Sequence, residues 1–156
     1  MTEIGQLAPD FTLPQDGGPD ITLSELRPNL VVLYFYPRDD TSGCTKQAIG
    51  FTEERAAFRD AGATIIGVSR DTVQKHAKFR EKHGLGIALL SDEDGQVCEN
   101  YGVWTEKQMY GRTFWGIERS TFLIDGDGML LREWRKVKLK GHIEEVIAAI
   151  HAARKG

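Results

Sequence analysis

The chain has 156 residues and a formal net charge of −3, and 40% of its residues are hydrophobic and 28% charged. This length suits a single domain spanning 1–156 with a substantial core, and the composition is ordinary for a globular protein. Lysine and arginine are spread along the chain, which argues against nucleic-acid binding, because that function needs a concentrated basic patch.

The sequence carries no sign of a membrane or export segment. Its apolar runs fall far short of the roughly 20 residues that a membrane-spanning helix requires. The first residues lack the positive region and apolar stretch of a secretory signal, so we expect a cytoplasmic protein in a compartment that keeps thiols reduced. The two cysteines, Cys44 and Cys98, then indicate chemistry or inert burial rather than a structural disulfide. The four histidines have no cysteine or acidic pair at ligand spacing, so we expect no metal site.

The first half of the chain predicts a hairpin, a buried strand and a helix. Apolar residues at 10–13 and 21–23 flank a cluster of turn formers and predict a small N-terminal β-hairpin. Residues 30–36 are apolar on both faces and rich in β-branched and aromatic side chains, which predicts a central strand ended by Pro37. Apolar residues at helical spacing predict a helix from about 44 to 61.

The second half continues the alternation of strands and helices. The elements predicted in chain order are a strand at 63–69, a helix at 72–83, a strand at 88–90, a helix at 94–101 and then a long loop. Two β-rich runs, 120–125 and 129–134, flank Gly126-Asp127-Gly128 and predict a hairpin. Apolar residues at i, i+3, i+4 and i+7 from Ile143 predict a terminal helix. This order predicts an α/β fold with a mixed central sheet and helices on both faces.

Cys44 lies where the central strand has ended and the long helix begins. Backbone N–H groups in the first turn of a helix are unpaired, and the helix dipole favours negative charge there. Such a position stabilises a thiolate, which is the reactive form of cysteine. Proline, threonine and glycine surround Cys44, and no apolar periodicity includes it. The sequence therefore favours a reactive thiol over a buried packing residue.

The segment around Cys44 resembles a known catalytic loop. Pro37-x-x-x-Thr41-x-x-Cys44 is similar to the peroxidatic loop of peroxiredoxins. Residues 89–98, 101–104 and 116–125 are similar to one subgroup, the bacterioferritin comigratory protein or PrxQ-type peroxiredoxins, and the resemblance covers nearly the whole chain. It implies a thioredoxin-like fold and the reduction of hydrogen peroxide and organic hydroperoxides without metal, haem or other cofactor.

The resemblance also implies roles for the residues of the loop. Cys44 would be the nucleophile that attacks one peroxide oxygen and becomes a sulfenic acid. The Thr41 hydroxyl and the backbone N–H groups of Gly43 and Cys44 would donate hydrogen bonds to the thiolate and to the peroxide, whose departing oxygen gains negative charge. Pro37 would form a wall of the pocket and limit the access of water.

Residues distant in sequence are expected to complete the site. Arg119 matches the second-site arginine of the family, and its N–H donors would stabilise the thiolate and orient the peroxide. Gln47, one helical turn after Cys44, would brace Arg119. Trp104, Tyr110 and Trp115 would line a hydrophobic approach to the pocket or serve ordinary packing.

The second thiol of the usual mechanism is missing from this sequence. The subgroup commonly carries its resolving cysteine five residues after the nucleophile, where this chain has Ile49, or in the following helix, where it has Arg80. We therefore expect a one-cysteine mechanism with an external thiol as reductant: glutathione with glutaredoxin, thioredoxin acting directly, or another small thiol. A two-cysteine mechanism through Cys98 stays an alternative.

The same loop is compatible with other functions. A peroxide sensor that carries its oxidised state to a partner protein would use the same chemistry but would not turn over. A thioredoxin-like disulfide reductase is disfavoured because the Cys-x-x-Cys pair is missing. A copper-delivery module would need paired cysteines with a nearby histidine, which Cys44 lacks. The subgroup implies a monomer or a weak homodimer.

Overall fold

The computed structural model describes residues 2–155, in which strands and helices alternate. The strands are β1 (Thr12–Gln15), β2 (Gly18–Thr22), β3 (Leu30–Phe35), β4 (Ala63–Ser69), β5 (Ala88–Ser91), β6 (Trp104–Met109), β7 (Arg112–Ile117), β8 (Ser120–Ile124) and β9 (Leu130–Trp134). The helices are α1 (Ser42–Glu53), α2 (Arg55–Asp60), α3 (Val73–His83), α4 (Gln96–Asn100) and α5 (His142–Lys155). Over this range no helix has the length and apolar character needed to cross a membrane.

One mixed sheet organises the molecule. Its strand order is β2-β1-β5-β4-β3-β8-β9, and β6 pairs only with β7. Strand β3 runs parallel to β4 and antiparallel to β8, and β4 runs parallel to β5. The predicted mixed sheet is confirmed, and so is the placement of the apolar run at 30–36 in its centre.

The alternating side chains of β3 divide the core into two halves. Val32 and Tyr34 face the half that contains α1, α2, α3 and α5. Val31, Leu33 and Phe35 face the other half, which contains α4 and the N-terminal segment. Successive side chains of a strand point to opposite faces, so helices cover both faces of the sheet, as predicted.

Two predicted elements differ from the structure. The single helix expected at 44–61 is two helices, α1 and α2, which meet at Glu54. The long loop expected after Tyr101 is instead the β6–β7 hairpin. Its turn residues, Tyr110 and Gly111, both have positive φ, the backbone conformation of a tight two-residue hairpin turn. Tyrosine is not a typical turn former, so the amino-acid sequence did not predict this turn.

The N-terminal hairpin is present, with its strands displaced from the predicted bounds. Strand β2 begins at Gly18 and includes Pro19 and Asp20, which the sequence analysis assigned to the turn. Strand β2 lies at the edge of the sheet, where a proline costs no ladder hydrogen bond on its open side.

Candidate active site

Cys44 lies in the first turn of α1, which begins at Ser42 with Thr41 as its N-cap. The Thr41 side chain makes no capping hydrogen bond to the helix, so the N–H groups of the first turn remain available to an anion. The thiol is buried, with 1% exposure, among the apolar side chains between the sheet and α1. This places the sulfur in a nearly closed environment at the positive end of a helix dipole.

Arg119 reaches the sulfur from the neighbouring strand. Strand β8 pairs with β3 so that Ser120 lies opposite Phe35, which places Arg119 beside the point where the chain leaves β3 for the Cys44 loop. Its Nη2 donates a hydrogen bond to Cys44 Sγ at 3.3 Å, and its Nη1 donates to Gln47 Oε1 at 2.7 Å. The structure therefore brings Arg119, which is distant in sequence, together with Cys44 and Gln47 of α1.

Gln47 is itself buried, with 1% exposure, and one of its polar atoms is unpaired. Its Nε2 has no hydrogen-bond partner among the described residues. A buried donor without a partner costs free energy unless a ligand satisfies it. The amide therefore holds the guanidinium of Arg119 with its oxygen and keeps an unpaired N–H donor.

The loop residues Pro37 and Thr41 line an open cleft. The Thr41 hydroxyl, however, donates to the carbonyl oxygen of Arg38 at 3.0 Å. A hydroxyl has one proton, so in this conformation it does not donate to Cys44 as expected. The local bond closes the turn of the loop, a role that threonine hydroxyls commonly take.

The β6–β7 hairpin forms the opposite wall of this cleft, which has a volume of about 740 Å³. Trp104 and Trp115 line it, together with Phe114 and Lys107. Tyr110 does not, because it lies at the tip of the hairpin and is 95% exposed. Sequence reasoning missed Lys107, since the hairpin that carries it was expected to be a loop.

Two titratable groups near the thiol are shifted towards their neutral forms. Burial, and then the charges of Cys44 and Asp39, raise the pKa of Tyr34, so its hydroxyl stays protonated. Burial, and then the positive charge of Arg119, lower the pKa of Lys107. Burial therefore disfavours charged side chains around the sulfur, and the positive charge of Arg119 acts on Lys107.

A buried network ties the Cys44 loop to α3. His76 has 0% exposure, and its Nδ1 lies 2.6 Å from Asp39 Oδ2 while its Nε2 lies 2.9 Å from the carbonyl oxygen of Leu90. Both ring nitrogens face acceptors, so the doubly protonated ring satisfies both. Tyr36 donates to Asp39 Oδ1 at 2.6 Å. Although burial opposes it, the bond to Asp39 raises the pKa of His76 above its ordinary value.

The backbone of Asp39 is also held in place, because its N–H donates to Asp71 Oδ2 at 2.7 Å. The next residue, Asp40, has a φ of +60° and binds Lys82 at 2.7 Å and His83 at 2.8 Å, both from α3. Two consecutive aspartates thus anchor the loop to one helix. They are separated from their partners by about forty positions, so no local sequence pattern could have identified the pairing.

Cys98 lies on the other side of the sheet from Cys44. It is fully buried in α4 and packs in the half of the core that includes Leu33 and Phe35. Burial, and then a hydrogen bond and the charge of Asp92, raise the pKa of the Cys98 thiol. A disulfide requires α-carbons within about 7 Å, and the strand between the two thiols prevents that approach without rearrangement.

The two positions of the usual resolving cysteine are occupied by structural side chains. Ile49 is partly buried against the core beneath α1. Arg80 in α3 binds Asp16 through Nε at 2.6 Å and Nη2 at 3.0 Å, and its Nη1 donates to the carbonyl oxygen of Leu85. These contacts connect α3 to the N-terminal hairpin rather than to the Cys44 loop.

Comparison with known proteins places the chain among close relatives. The model of the AhpC/TSA family matches residues 4–132. Peroxiredoxin Bcp of Bacillus subtilis strain 168 is 47% identical over 148 residues, which cover 95% of this chain and 94% of the relative. Peroxiredoxin Bcp of Escherichia coli K12 is 41% identical over 143 residues, which cover 92% of each chain.

Solved structures agree with this chain over nearly its full length. The bacterioferritin comigratory protein of Xanthomonas campestris superposes with a TM-score of 0.87 at 43% identity, covering 92% of this chain and 91% of that one. A cysteine mutant of Xylella fastidiosa PrxQ superposes with a TM-score of 0.93 at 37% identity, covering 99% of this chain and 98% of that one.

Proposed function

The chain belongs to the AhpC/TSA family and, within it, to the Bcp/PrxQ peroxiredoxins, which are thiol peroxidases, and from this premise we propose that it reduces hydroperoxides through Cys44 by a one-cysteine mechanism. The thioredoxin-like fold implied by the sequence resemblance is confirmed by the same relatives. The proposal concerns which residues act and how the oxidised sulfur returns to the thiol.

The contact between Arg119 and Cys44 carries the proposal. The guanidinium donates to Sγ at 3.3 Å and is itself held by Gln47 at 2.7 Å. A fixed cation with parallel N–H donors stabilises a thiolate and then the negative charge that develops on the peroxide. Because the partners are already in place, little reorganisation is needed when the peroxide arrives.

In the peroxide step the thiolate of Cys44 attacks one oxygen of the hydroperoxide. An S–O bond forms and the O–O bond breaks, so the sulfur is oxidised to a sulfenic acid. The other oxygen leaves with the bonding electron pair and takes a proton, giving water or an alcohol. The guanidinium of Arg119 and the first-turn N–H groups of α1 lie next to the sulfur, where this charge develops.

The organic hydroperoxides are supported as substrates by the cleft in front of Pro37. The X. campestris relative is described as reducing alkyl peroxides. In this chain Trp104, Phe114 and Trp115 line the cleft beside the loop residues. Such a wall accommodates an alkyl group while the peroxide end reaches the sulfur.

The one-cysteine mechanism rests on where the second thiol lies. Cys98 packs on the opposite face of the sheet, and Ile49 and Arg80 occupy the usual resolving positions. A thiol from outside the chain must then reduce the sulfenic acid, and we expect glutathione with glutaredoxin, or thioredoxin, in the cytoplasm. We expect the chain to act as a monomer or a weak homodimer.

The decisive experiment is turnover with a panel of thiol donors. The wild-type protein should consume many equivalents of hydrogen peroxide, and Cys44→Ser should consume none while keeping its unfolding midpoint. Cys98→Ala should turn over like the wild type. Consumption of about one equivalent with every donor would identify a sensor and contradict the peroxidase proposal.

Mass measurement under non-reducing conditions tests the mechanism separately. After one equivalent of peroxide, Cys44 should gain one oxygen or, when a thiol is added, the mass of that thiol less two hydrogen atoms. A loss of two hydrogen atoms, abolished in Cys98→Ala, would reveal a Cys44–Cys98 disulfide and overturn the one-cysteine mechanism.

A further inference from the structure

The cleft between the Cys44 loop and the β6–β7 hairpin carries an excess of positive charge. Its charged lining consists of four cations and two carboxylates: Arg38, Arg70, Lys75, Lys107, Asp71 and Glu93. Neither hydrogen peroxide nor a simple alkyl peroxide carries a charge that would use these cations. Their presence in this cleft, with Lys107 near enough to Cys44 and Arg119 for their charges to act on it, points to another ligand.

Two of the cations already have partners. Lys75 lies 3.9 Å from Asp71 Oδ1. Arg70 donates to the carbonyl oxygen of Glu93 at 3.0 Å, and its guanidinium lies 4.4 Å from the centre of the Trp104 ring. These contacts fix the positions of both side chains in the cleft lining.

The other two cations, Arg38 and Lys107, are free for a ligand. Their side chains make no hydrogen bond or ion pair with the residues between 2 and 155. Arg38 belongs to the Cys44 loop and Lys107 to β6, so they approach the cleft from opposite walls. The stem of Lys107 packs over Gly116, where an added β-carbon would stand 3.4 Å from its Cδ. Lys107 is thereby directed along the hairpin surface, and only part of it is exposed to water.

The surroundings of Lys107 favour an anion. Burial and the nearby charge of Arg119 lower the pKa of the ammonium group, which means that its charge is poorly solvated and repelled. A carboxylate placed next to it would relieve both effects. The aromatic side chains of Phe114 and Trp115 beside it would pack against a short aliphatic chain.

We propose that Arg38 and Lys107 bind the carboxylate of a small thiol and thereby deliver its sulfur to the sulfenic acid of Cys44. This inference rests on the proposed function, because only a one-cysteine mechanism requires an external thiol at this position. It adds the chemical class of the reductant: a low-molecular-weight thiol that carries a carboxylate.

The reaction needs two molecules of the thiol. The thiolate of the first attacks the sulfur of the sulfenic acid, an S–S bond forms and the S–O bond breaks, and the oxygen leaves as water after taking a proton. The thiolate of the second attacks the thiol-derived sulfur of the mixed disulfide. Cys44 leaves as the thiolate, and the product is the disulfide of the two small thiols.

The test compares thiols of similar size and different charge. The protein is oxidised with one equivalent of hydrogen peroxide and mixed with 3-mercaptopropionate, 2-mercaptoethanol or cysteamine, and rate constants are expressed per thiolate. One unscreened charge contact of about 1 kcal/mol gives 3-mercaptopropionate an advantage of about five-fold over 2-mercaptoethanol. Cysteamine should be the slowest, and the advantage should shrink in about 1 M salt.

Lys107→Met should bring the ratio of the two rate constants close to unity. Lys138→Met, which removes an exposed lysine outside the cleft lining, is the matched control and should keep the wild-type ratio. A wild-type ratio near unity, or the same ratio in Lys107→Met, would overturn the carboxylate site. Failure of every thiol to reduce the oxidised protein would instead contradict the proposed function.

A second arm separates the reductant from the substrate. The peroxide step is measured with a carboxylated alkyl hydroperoxide and with its methyl ester, in the wild type and in Lys107→Met. The proposal requires that Lys107→Met lower the ratio between the thiols, whether or not it also changes the ratio between acid and ester. A preference for the acid that disappears only in Lys107→Met, without an effect on the thiols, would assign the site to the peroxide and overturn the inference.

Discussion

Gly43 lies directly against the guanidinium group of Arg119: a β-carbon added at this glycine would stand 3.1 Å from Nη2. The same nitrogen donates to Cys44 Sγ at 3.3 Å. Glycine at this position therefore permits the close approach of Arg119 to the thiol. Its role is to leave space, in addition to the N–H group that the sequence analysis assigned to it.

Gly43→Ala tests this spatial role. The added methyl group should displace the guanidinium by a few tenths of an ångström and lower the rate constant of the peroxide step by about ten-fold. Stopped-flow measurement of tryptophan fluorescence provides the rate constant. Alanine suits a helix better than glycine, so the unfolding midpoint in urea should not fall.

Thr45→Ala is the neighbouring control, because Thr45 lies in the same helical turn and its side chain makes no hydrogen bond to Arg119 among the described residues. A Gly43→Ala protein with wild-type kinetics would show that the guanidinium keeps its position despite the methyl group. The spatial role of Gly43 would then be wrong.

Removal of the guanidinium itself should have a larger effect. Arg119→Met should slow the peroxide step by about a hundred-fold, because it deletes a positioned charge-assisted donor at the reacting sulfur. Arg119→Lys should fall between the two, since an ammonium keeps the charge but cannot bind Cys44 and Gln47 through two parallel N–H groups. Arg154→Met on the exposed side of α5 is the control. Wild-type kinetics in Arg119→Met would remove this residue from the site.

The sequence predicted the fold well where periodicity and burial agree. The apolar run at 30–36 is a central strand, and the predicted strand at 63–69 matches β4. These strands are buried on both faces, so a continuous apolar run reports their environment directly. The β6–β7 hairpin was missed because four successive residues of β7, Arg112 to Trp115, are exposed. Exposed residues need not alternate between apolar and polar, so the sequence lacks the pattern that predicts a strand.

Only those parts of the candidate site that belong to a motif or to the family resemblance could be predicted from the sequence. Cys44, Gln47 and Arg119 meet in the structure. The hydroxyl of Thr41 does not join them, since its single proton goes to the carbonyl of Arg38, a choice set by backbone geometry. The link between Asp39 and His76 could not be predicted either, because tertiary packing alone brings these positions together.

The ion pair between Asp39 and His76 should stabilise the fold and hold the Cys44 loop. His76→Gln leaves the Asp39 carboxylate, 6% exposed, without its charged partner and should lower the free energy of unfolding by about 3 kcal/mol. Asp39→Asn should cost a similar amount. The double variant should lose clearly less than the sum of the two, because neither charge is then left unpaired.

Urea denaturation of the four proteins completes this double-mutant cycle. Additive losses would show that the two side chains do not interact in solution. Lys82→Met, which removes only an exposed partner of Asp40, is the control and should cost less than about 1 kcal/mol.

Two buried histidines should give the stability opposite dependences on pH. Burial, and then the charge of Arg119, lower the pKa of His142, whose ring lies 2.9 Å from the Thr121 hydroxyl. Folded His142 is therefore neutral at a pH where the unfolded chain is protonated. Its contribution is present above the unfolded value of 6.5 and is lost as the pH falls below it, with a slope of at most about 1.4 kcal/mol per pH unit.

His76 acts in the other direction because the folded state raises its pKa. Its contribution is fully present below 6.5 and is lost as the pH rises through the folded value. The free energy of unfolding should be measured from about pH 5 to about pH 9. The loss caused by His142→Gln should shrink towards acid pH, and the loss caused by His76→Gln should shrink towards alkaline pH. Parallel profiles in the two variants would show that these rings do not titrate as their surroundings require.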